Sequence, residues 1–447
     1  MKEGSLAAPI RHPLDWQNPD FYDEAKLDAE MRRVFDICHT CRRCFNLCDS
    51  FPRLFDLIDE SKTAELDSVD SKDFKPVVEA CTLCDMCFMT KCPYVPPHEW
   101  NLDFPHLMLR YRAVEAKKGQ IPLTDRELAK TDRNGKIAGF VAPLANWAMD
   151  KANQTMRGLL EKFAGLDRDA DLPKYAGKSF EARTKENPPV VDPTAPAFGR
   201  KAVIYATCFV DYHNPDIGLA AQAVLAKNGV ATEVVYPQCC GMPMLEQGLI
   251  EEVAKGAKTV AAEMRPWIEK GYDIIALVPS CALMLKFEWP LILPQNEDVK
   301  LLSKSTFDLS EYVVDIGRKE GMAPGLQAVD GGISLHMSCH SRAQNMGQKA
   351  AEMLRLVPGA AVSVIERCSG HGGSWGYKKE NFKTALKVGA PVARQVDENA
   401  KTFVSSECPL AGLHIAQGVE KLGGSNPKPT LLAHPIQYIA RAYGRNA

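Results

Sequence analysis

Two short segments near the amino end each carry four cysteines, and this pattern constrains the fold more than any other feature of the sequence. The segments read Cys38-x2-Cys41-x2-Cys44-x3-Cys48 and Cys81-x2-Cys84-x2-Cys87-x4-Cys92. The first residues lack the apolar core of a signal peptide, so we expect a cytoplasmic protein whose thiols stay reduced. Reduced thiols at such regular spacing are typical of metal binding rather than of disulfide bonds.

Three thiolates at this spacing wrap the chain around one iron–sulfur cube, and the fourth cysteine lies too far along to reach the same cube. In proteins that hold two cubes, the fourth cysteine binds the neighbouring one. The sequence therefore predicts two [4Fe-4S] clusters: cluster 1 on Cys38, Cys41, Cys44 and Cys92, and cluster 2 on Cys48, Cys81, Cys84 and Cys87. A pair of zinc sites is the alternative, but zinc knuckles use two cysteines per turn and leave the third unexplained.

The two segments depart from ferredoxin spacing in two places. Asp49 follows Cys48 where ferredoxins have proline, and four residues instead of three precede Cys92. Neither change removes a ligand, so both alter only the loop that leaves the cluster.

Composition and cysteine distribution divide the chain into four predicted parts. Residues 1–100 form a double [4Fe-4S] ferredoxin-type domain, which we expect to depend on its metal more than on an apolar core. Residues 101–198 form a helical connector that ends in a proline-rich linker at 187–196. Residues 199–325 and 326–447 form two cysteine-rich repeats.

The repeats alternate β-branched runs with helical stretches, which is typical of a parallel α/β fold. The first repeat has predicted strands at Lys201–Thr207, Ala231–Tyr236 and Tyr272–Val278, with helices at Ile217–Lys227 and Leu249–Lys270. The second has predicted strands at Ile333–Met337, Ala361–Glu366 and Lys401–Ser405, with helices at Arg342–Leu356, Phe382–Asn399 and Leu410–Lys421. A cysteine follows every strand. The fold class is therefore α/β, with an α-helical ferredoxin-like domain before two tandem Rossmann-like repeats.

Five segments of these repeats resemble a known family. They read ATCFVDYHNP, QCCGMP, VPSCAL, HMSCH and CSGHGGSWGYKKENF. Together with the twin cysteine segments, they resemble the iron–sulfur C subunits of anaerobic glycerol-3-phosphate dehydrogenases. More widely, they are similar to the heterodisulfide reductase, glycolate oxidase and lactate-utilisation proteins that share a Cys-Cys-Gly repeat. The resemblance extends from about residue 30 to the carboxyl end.

In such families a complete repeat can hold a further, non-cubane [4Fe-4S] cluster. The resemblance therefore implies a third cluster on Cys208, Cys239, Cys240 and Cys281, although Met284 occupies the position of a last cysteine. Because these cysteines follow strands of a parallel sheet, they would lie at the edge where such sheets bind ligands. The alternative is that they are small apolar residues at strand ends.

The second repeat keeps fewer of the cysteines that the resembled family has. Three of its cysteines remain, at Cys339, Cys368 and Cys408. Ser369 and Ala411 stand where the family has cysteine, so a cluster here would need His340, His371 or a partner as a further ligand. The glycine-rich loop 370–376 could donate N–H groups to cluster sulfurs, or could be an ordinary turn.

The connector contains an apolar stripe at helical spacing. The stripe consists of Phe140, Leu144, Ala148, Ala152, Met156, Leu159 and Phe163, interrupted only by Pro143. Lysine and arginine flank it, and residues 101–200 carry 17 basic and 13 acidic side chains. The resembled subunits meet the membrane or a membrane partner in this region. A helix packed on its own domains is the alternative.

These features indicate an electron-transfer subunit rather than a self-contained enzyme. With 54 basic and 56 acidic residues, the chain has no general attraction for nucleic acid. It lacks both the Gly-x-Gly-x-x-Gly and the phosphate-loop fingerprint, so we expect a flavin dehydrogenase partner to oxidise the substrate. The resemblance implies a glycerol-3-phosphate dehydrogenase-like partner and delivery to quinone or another acceptor, on the cytoplasmic face of the inner membrane.

Two other functions fit the sequence less well. A heterodisulfide reductase-like thiol/disulfide oxidoreductase would use a cluster in the repeats, and the missing cysteines at Met284, Ser369 and Ala411 disfavour it. An assembly factor with vestigial sites is disfavoured by the eight intact ferredoxin-type ligands.

Overall fold

The computed structural model describes residues 9–424 and 427–445. Residues 1–6, on which the expectation of no signal peptide rests, lie outside the described residues. The described part is an α/β structure in which a helical amino-terminal part precedes two parallel sheets. None of its helices has both the length and the apolar character needed to cross a membrane.

The amino-terminal module is helical and has an aromatic core. Its helices are α1 (Glu24–Cys41), α2 (Ser50–Asp59), α3 (Lys75–Glu79) and α4 (Phe104–Lys117), with shorter turns at Pro19–Tyr22, Leu66–Ser68, Ser71–Phe74 and Cys87–Lys91. The buried rings of Phe35 and Phe74 meet edge to face at 5.0 Å, and Phe51 lies 4.7 Å from Phe104. The module thus has an apolar core of its own, and its dependence on metal stays a prediction.

Helix α4 lies within the predicted connector but packs on the amino-terminal module through Phe104. The rest of the connector contains five short helices. They are α5 (Leu123–Leu128), α6 (Thr131–Phe140), α7 (Ala142–Met149), α8 (Gln154–Ala164) and α9 (Phe180–Glu186). The predicted stripe 140–163 is thus divided among three helices. A second break, which the apolar spacing does not reveal, comes where Asp150 adopts extended backbone (ψ 132°) and the side chain of Asn153 caps α8.

The first repeat alternates strands and helices. It contains β1 (Lys201–Tyr205), α10 (Cys208–Tyr212), α11 (Pro215–Lys227), β2 (Ala231–Val235), α12 (Met242–Leu245), α13 (Ile250–Glu269), β3 (Asp273–Ala276), α14 (Pro279–Leu283), α15 (Trp289–Ile292), α16 (Glu297–Ser305), β4 (Thr306–Asp308) and α17 (Leu309–Lys319). A π-helical turn at Met284–Glu288 joins α14 to α15.

The second repeat follows the same plan. It contains β5 (Ile333–His336), α18 (Cys339–Ala343), α19 (Lys349–Leu354), β6 (Val362–Ile365), a turn at Trp375–Tyr377, α20 (Phe382–Asn399), β7 (Phe403–Ser406), α21 (Pro409–Leu422), β8 (Thr430–Leu432) and α22 (Ile436–Ala442).

The two sheets have the same topology. Their strand orders are β2-β1-β3-β4 and β6-β5-β7-β8, and all neighbours are parallel. The central strand β1 is buried from Ala202 to Tyr205, because helices cover both faces of the sheet. The prediction of two parallel α/β units is confirmed, since all six predicted strands are present with ends that differ by one or two residues.

One predicted helix of the second repeat is wrong. The apolar spacing predicts a continuous helix over Arg342–Leu356, but the structure has the separate helices α18 and α19. Asn345 (φ 52°) and Gly347 (φ 77°) adopt left-handed backbone between them, which a helix cannot accommodate. The spacing continues across this break and conceals it.

The segment 9–16 joins the amino-terminal module to the first repeat. Its hydrogen bonds run from Ile10 N–H to Pro96 O at 3.2 Å, from Leu14 N–H to Leu291 O at 2.9 Å and from Trp16 Nε1–H to Ile292 O at 2.8 Å. The segment thereby contacts both modules along its length.

Arg11 lies at the centre of a buried ion network. Its guanidinium donates to both carboxylate oxygens of Asp85 at 2.8 Å, to Asp103 at 2.9 Å and to Glu288 at 3.0 Å. His106 lies 3.2 Å from Glu288. Burial raises the pKa of Asp103, but Arg11 and His106 outweigh this effect and hold it at about 2. The network therefore links the segment 9–16, the amino-terminal module and the first repeat through charge.

Candidate metal centres

The first cysteine group consists of Cys38, Cys41, Cys44 and Cys92. Helix α1 ends at Cys41, and the left-handed backbone of the capping residue Arg42 (φ 52°) turns the chain before Cys44. Burial raises the pKa of Cys38, and the thiolates of Cys92, Cys44 and Cys41 raise it further. Burial and the thiolates of Cys92 and Cys41 likewise raise the pKa of Cys44 to about 12. The raised pKa values reflect repulsion among the four thiolates, and a positively charged group bound by all four would relieve it.

The second group consists of Cys48, Cys81, Cys84 and Cys87. Burial raises the pKa of Cys48, and the thiolates of Cys84 and Cys81 add to the rise. Leu83 (φ 48°) and Asp85 (φ 63°) both adopt left-handed backbone, which curls the segment that carries Cys81 and Cys84. Local backbone conformation thus gathers these thiols into one small volume.

Each group takes its fourth member from the other sequence segment. Cys48 lies among the thiols of the second segment, and Cys92 lies among those of the first. These neighbours of Cys38 and Cys48 agree with the crossed sets, and the assignment of ligands to two clusters stays a prediction. The groups also neighbour one another, because the thiolate of Cys44 contributes to the raised pKa of Cys87.

The third group consists of Cys208, Cys239, Cys240 and Cys281, which follow β1, β2 and β3. The Sγ atoms of Cys208 and Cys239 are 3.7 Å apart. Hydrogen bonds from the thiols of Cys208 and Cys240 lower the pKa of Cys239 well below its usual value. Met284 is fully buried in the π-helical turn.

Asp132 of the connector supports this group, although nothing in the sequence around it points to such a role. Its carboxylate accepts the backbone N–H of Cys239 at 2.8 Å and the hydroxyl of Tyr236. The first turn of α6 is thus joined to the Cys-Cys-Gly turn. A residue about a hundred positions away gives no local signal, so only the fold could identify it.

The fourth group consists of Cys339, Cys368 and Cys408, which follow β5, β6 and β7. Burial raises the pKa of Cys339, and the thiolates of Cys84, Cys368 and Cys408 raise it further. The backbone N–H of Gly370 donates to Cys368 Sγ at 3.4 Å, so the glycine-rich loop can direct N–H groups toward sulfur. Ser369 and Ala411, the positions without thiols, are both buried.

The two candidate histidines differ in their surroundings. His340 Nδ1 is 2.8 Å from the hydroxyl of Ser280, and its Nε2 is 3.4 Å from the carbonyl oxygen of Leu83. His340 thus joins the amino-terminal module and both repeats. His371 is 5% exposed, and neither of its ring nitrogens has a hydrogen-bond partner.

A cavity of about 1140 Å³ lies between the amino-terminal module, the connector and the repeats. It is at the carboxyl ends of both sheets, where parallel sheets bind ligands. Eight cysteines line it: Cys48, Cys84, Cys208, Cys240, Cys281, Cys339, Cys368 and Cys408. The first group does not contribute to its walls. Cysteines from three of the four groups therefore line the same cavity.

The first two groups each offer four free thiols. Within residues 9–424 and 427–445, no three cysteine, histidine, aspartate or glutamate side chains are arranged to hold one metal ion. A tetrahedral zinc site gathers all its ligands around one atom, whereas an iron–sulfur cube distributes them over several irons. Four thiolates are the ligands of an iron–sulfur cube and also of some structural zinc sites.

Comparison with known proteins identifies the first repeat. Residues 202–286 match the family described as the CCG cysteine-rich domain, and this range contains the whole third group. We call this stretch the CCG domain, after the family that it matches. The Cys-Cys-Gly sequence at 239–241 lies at the turn after β2 of the CCG domain, beside Cys208 and Cys281.

Three relatives extend the similarity beyond the CCG domain. The C subunit of the anaerobic glycerol-3-phosphate dehydrogenase from Escherichia coli (strain K12) is 28% identical over 318 residues, which cover 70% of this chain and 76% of that protein. The B subunit of the fumarate reductase (CoM/CoB) from Methanothermobacter marburgensis is 29% identical over 77% of this chain and 58% of that protein. Lactate utilization protein A from Geobacillus kaustophilus is 26% identical over 54% of this chain and 98% of that protein.

Proposed function

We propose that this chain is an iron–sulfur electron-transfer subunit of an oxidoreductase complex. The proposal is supported by the proximity of the two cysteine segments: Cys48 and Cys84 line one cavity, and the thiolate of Cys92 raises the pKa of Cys38. Thiolate sets this close would hold redox groups near enough to exchange electrons. The similarity to dehydrogenase and reductase subunits supports the same function.

The first and second groups would each hold a [4Fe-4S] cluster, and the third group could hold another. When bound, such clusters supply reversible one-electron oxidation and reduction. Cys38, Cys41, Cys44 and Cys92 would hold the first, with Cys48, Cys81, Cys84 and Cys87 holding the second. Curled backbone around Leu83 and Asp85 would orient the thiolates of the second group.

The electron donor would be a separate flavoprotein dehydrogenase. The chain has no dinucleotide or phosphate-loop fingerprint that could hold a flavin or a nicotinamide cofactor. The Escherichia coli relative is a subunit of a glycerol-3-phosphate dehydrogenase, which supports a partner of that type. The acceptor would be quinone or another redox protein.

Anaerobic purification tests this function. We expect a brown protein with about eight iron and eight sulfide per chain from the first two groups, or about twelve if the third is loaded. Reduction should produce paramagnetic resonance signals of [4Fe-4S] clusters, and a flavoprotein should co-purify from the native host. Colourless protein, or protein with zinc in place of iron, would contradict the proposal.

A thiol/disulfide oxidoreductase is the second candidate. The cysteines of both repeats line one cavity, and Cys368 is exposed there, so a small disulfide could reach them. Consumption of an added disulfide by the purified chain, with reduced viologen as electron source, would favour this function over electron relay.

The connector supplies a surface for membrane attachment. Its helices α6, α7 and α8 expose Phe140 (91%), Leu144 (62%), Trp147 (57%) and Phe163 (69%) to solvent. The alternative of a stripe packed on the protein's own domains is wrong for these side chains. Exposed aromatic residues beside lysines are typical of helices that lie in a membrane interface. We therefore assign the chain to a peripheral position on the cytoplasmic face of the membrane.

Removing two of these aromatic side chains should weaken membrane binding. We expect Phe140→Ser/Trp147→Ser to lower co-sedimentation with phosphatidylglycerol vesicles by at least roughly tenfold, since each ring would lose its apolar burial. Val190→Ser is the matched control, because Val190 is 93% exposed but lies in the linker. Equal vesicle binding by all three proteins would exclude this surface as the attachment site.

A further inference from the structure

Glu246 places an acidic group in the wall of the shared cavity. It directly follows helix α12, which begins just after the Cys-Cys-Gly turn. The residue lines the cavity together with Cys240 and Cys281 of the third group and Cys368 of the fourth. A small molecule inside the cavity would therefore meet Glu246 as well as cysteines of both repeats.

The carboxylate of Glu246 has no bonded partner, unlike the other acidic side chains of the cavity. Three more acidic residues line it, and each accepts a hydrogen bond: Asp49 from Arg53 at 2.6 Å, Asp125 from Lys378 at 2.7 Å and Glu366 from Gln348 at 2.6 Å. Within residues 9–424 and 427–445, neither a hydrogen bond nor an ion pair engages the carboxylate of Glu246. Its oxygens are therefore available to a molecule in the cavity.

The glycine-rich loop of the second repeat packs against this carboxylate. A Cβ atom at Gly373 would lie 2.7 Å from Oε1 and 2.9 Å from Oε2 of Glu246, so any other residue there would displace the carboxylate. Gly373 also has left-handed backbone (φ 63°), which favours glycine. At Gly372 a Cβ atom would lie 2.5 Å from Cγ2 of Thr82. The loop thus holds the carboxylate where the first repeat, the second repeat and the amino-terminal module meet.

The two cations that act on Glu246 are both bound to other groups. Arg112 donates to the backbone carbonyl oxygens of Glu246 at 3.0 Å and of Val78 at 2.7 Å, and Lys378 pairs with Asp125. Both cations lower the pKa of Glu246, but burial outweighs them and raises it to about 7. The carboxyl group therefore populates both protonation states near neutral pH, as an efficient proton donor does.

The histidines of the cavity are poorer proton donors at neutral pH. Burial lowers the pKa of His213 and His336 to about 4 and that of His371 to about 3, and it also lowers the pKa of His340. These imidazoles are therefore neutral where Glu246 still carries a proton.

A small molecule that is reduced in the cavity needs protons as well as electrons. A quinone or an organic disulfide that gains two electrons also binds two protons, whereas iron–sulfur clusters supply electrons alone. Cysteines that bind a cluster are deprotonated, so they cannot supply the proton. A free carboxyl group in the same cavity can do so.

We propose that Glu246 donates a proton to a small molecule that is reduced by two electrons inside the cavity. The inference rests on the proposed electron-transfer function and adds a proton donor to it. Two electrons pass from reduced clusters to the acceptor. The O–H bond of the Glu246 carboxyl group breaks, and its proton bonds to a quinone oxygen or a disulfide sulfur. The second proton, and the one that restores Glu246, come from solvent.

Single-turnover oxidation of the reduced full-length chain tests this step. The protein would be purified anaerobically, reduced with dithionite, freed of excess reductant and mixed rapidly with an acceptor while cluster absorbance is followed. The acceptors are a short-chain quinone, an aromatic disulfide and hexaammineruthenium(III), which takes one electron and no proton. We expect Glu246→Gln to slow oxidation by the quinone or the disulfide by about 10²-fold at neutral pH, and to leave oxidation by the ruthenium complex unchanged.

The pH dependence provides a second readout. Because the donor must be protonated, wild-type oxidation by the proton-binding acceptor should slow about tenfold per pH unit above about pH 7. The slow rate of Glu246→Gln should lack this dependence. Glu366→Gln is the matched control, since it changes a cavity carboxylate that Gln348 already engages, and it should keep the wild-type rate and pH profile.

The remaining outcomes separate this inference from the proposed function. Equal slowing of Glu246→Gln with all three acceptors would indicate a structural effect and overturn the inference, as would a quinone or disulfide rate within about twofold of wild type. A wild-type chain that is oxidised by the ruthenium complex alone would overturn the inference and leave electron transfer intact. Protein without iron would overturn both.

Discussion

Removing Cys92 should abolish the cluster of the first sequence segment, not that of its own segment. We expect Cys92→Ala to lower the iron content by about four atoms per chain. Cys41→Ala should cost the same iron, because both thiols belong to the first group. The double variant Cys41→Ala/Cys92→Ala should therefore lose no more iron than either single variant. Iron and sulfide analysis of anaerobically purified protein provides the measurement.

The matched comparison pairs Cys92 with a cysteine of its own segment. Cys84→Ala/Cys92→Ala should lose about eight iron atoms, because the two thiols serve different groups. If each segment held its own cluster, the two double variants would exchange results. The iron analysis thus distinguishes crossed ligation from ligation within one segment, and no spectrum has to be assigned to a particular cluster.

Arg11→Met should lower the free energy of unfolding by about 3–5 kcal/mol, because it leaves buried carboxylates without their counter-charge. Arg11 is the common partner of Asp85, Asp103 and Glu288, and the side chains of Asp85 and Glu288 are only 6% and 4% exposed. Denaturant unfolding of the anaerobic protein, followed by tryptophan fluorescence, gives the difference between variant and wild type.

Lys255→Met is the control for losing a cation. Lys255 pairs with Glu251 on the exposed face of α13, where solvent screens the charges, so its loss should leave stability almost unchanged. Arg11→Lys tests geometry, because an ammonium group cannot reproduce the paired donation to Asp85. An Arg11→Met effect as small as that of Lys255→Met would mean that water or rearrangement compensates for the lost arginine.

The strands were predictable where burial is complete. The central strand β1 is covered on both faces and appears in the sequence as a continuous apolar run from Ala202 to Tyr205. Strand β5 is equally buried but alternates Ile333 and Leu335 with polar residues. The last strand of each sheet was missed. Strands β4 and β8 have three residues each, too few to establish a periodicity.

Helix breaks were harder to predict than helices. The stripe over 140–163 and the run Arg342–Leu356 both keep apolar spacing across interruptions. The interruptions depend on backbone conformation at single residues, such as the left-handed Asn345. An asparagine is compatible with both a helix and a turn, so the sequence alone does not decide between them.

Site residues were predictable where they lie close together in the sequence. Residues that meet only through the fold could not be predicted. Spacing along the chain was enough to find the cysteines after the strands, and it predicts the grouping of the amino-terminal cysteines. The partners of Arg11 are up to 277 residues away, and Asp132 meets Cys239 across 107 residues. Such contacts arise from the packing of the modules, so neither residue type nor sequence spacing predicts them.

The shared cavity also affects how the protein would respond to air. A diffusible oxidant that enters it meets thiols from the amino-terminal module and from both repeats in one enclosure. Oxidation of any of them to a sulfenic acid would place a reactive sulfur within the same chamber as the others, where condensation to a disulfide becomes possible. We expect oxidation in this cavity to produce disulfides between modules, so that it does not remain confined to the first cysteine oxidised.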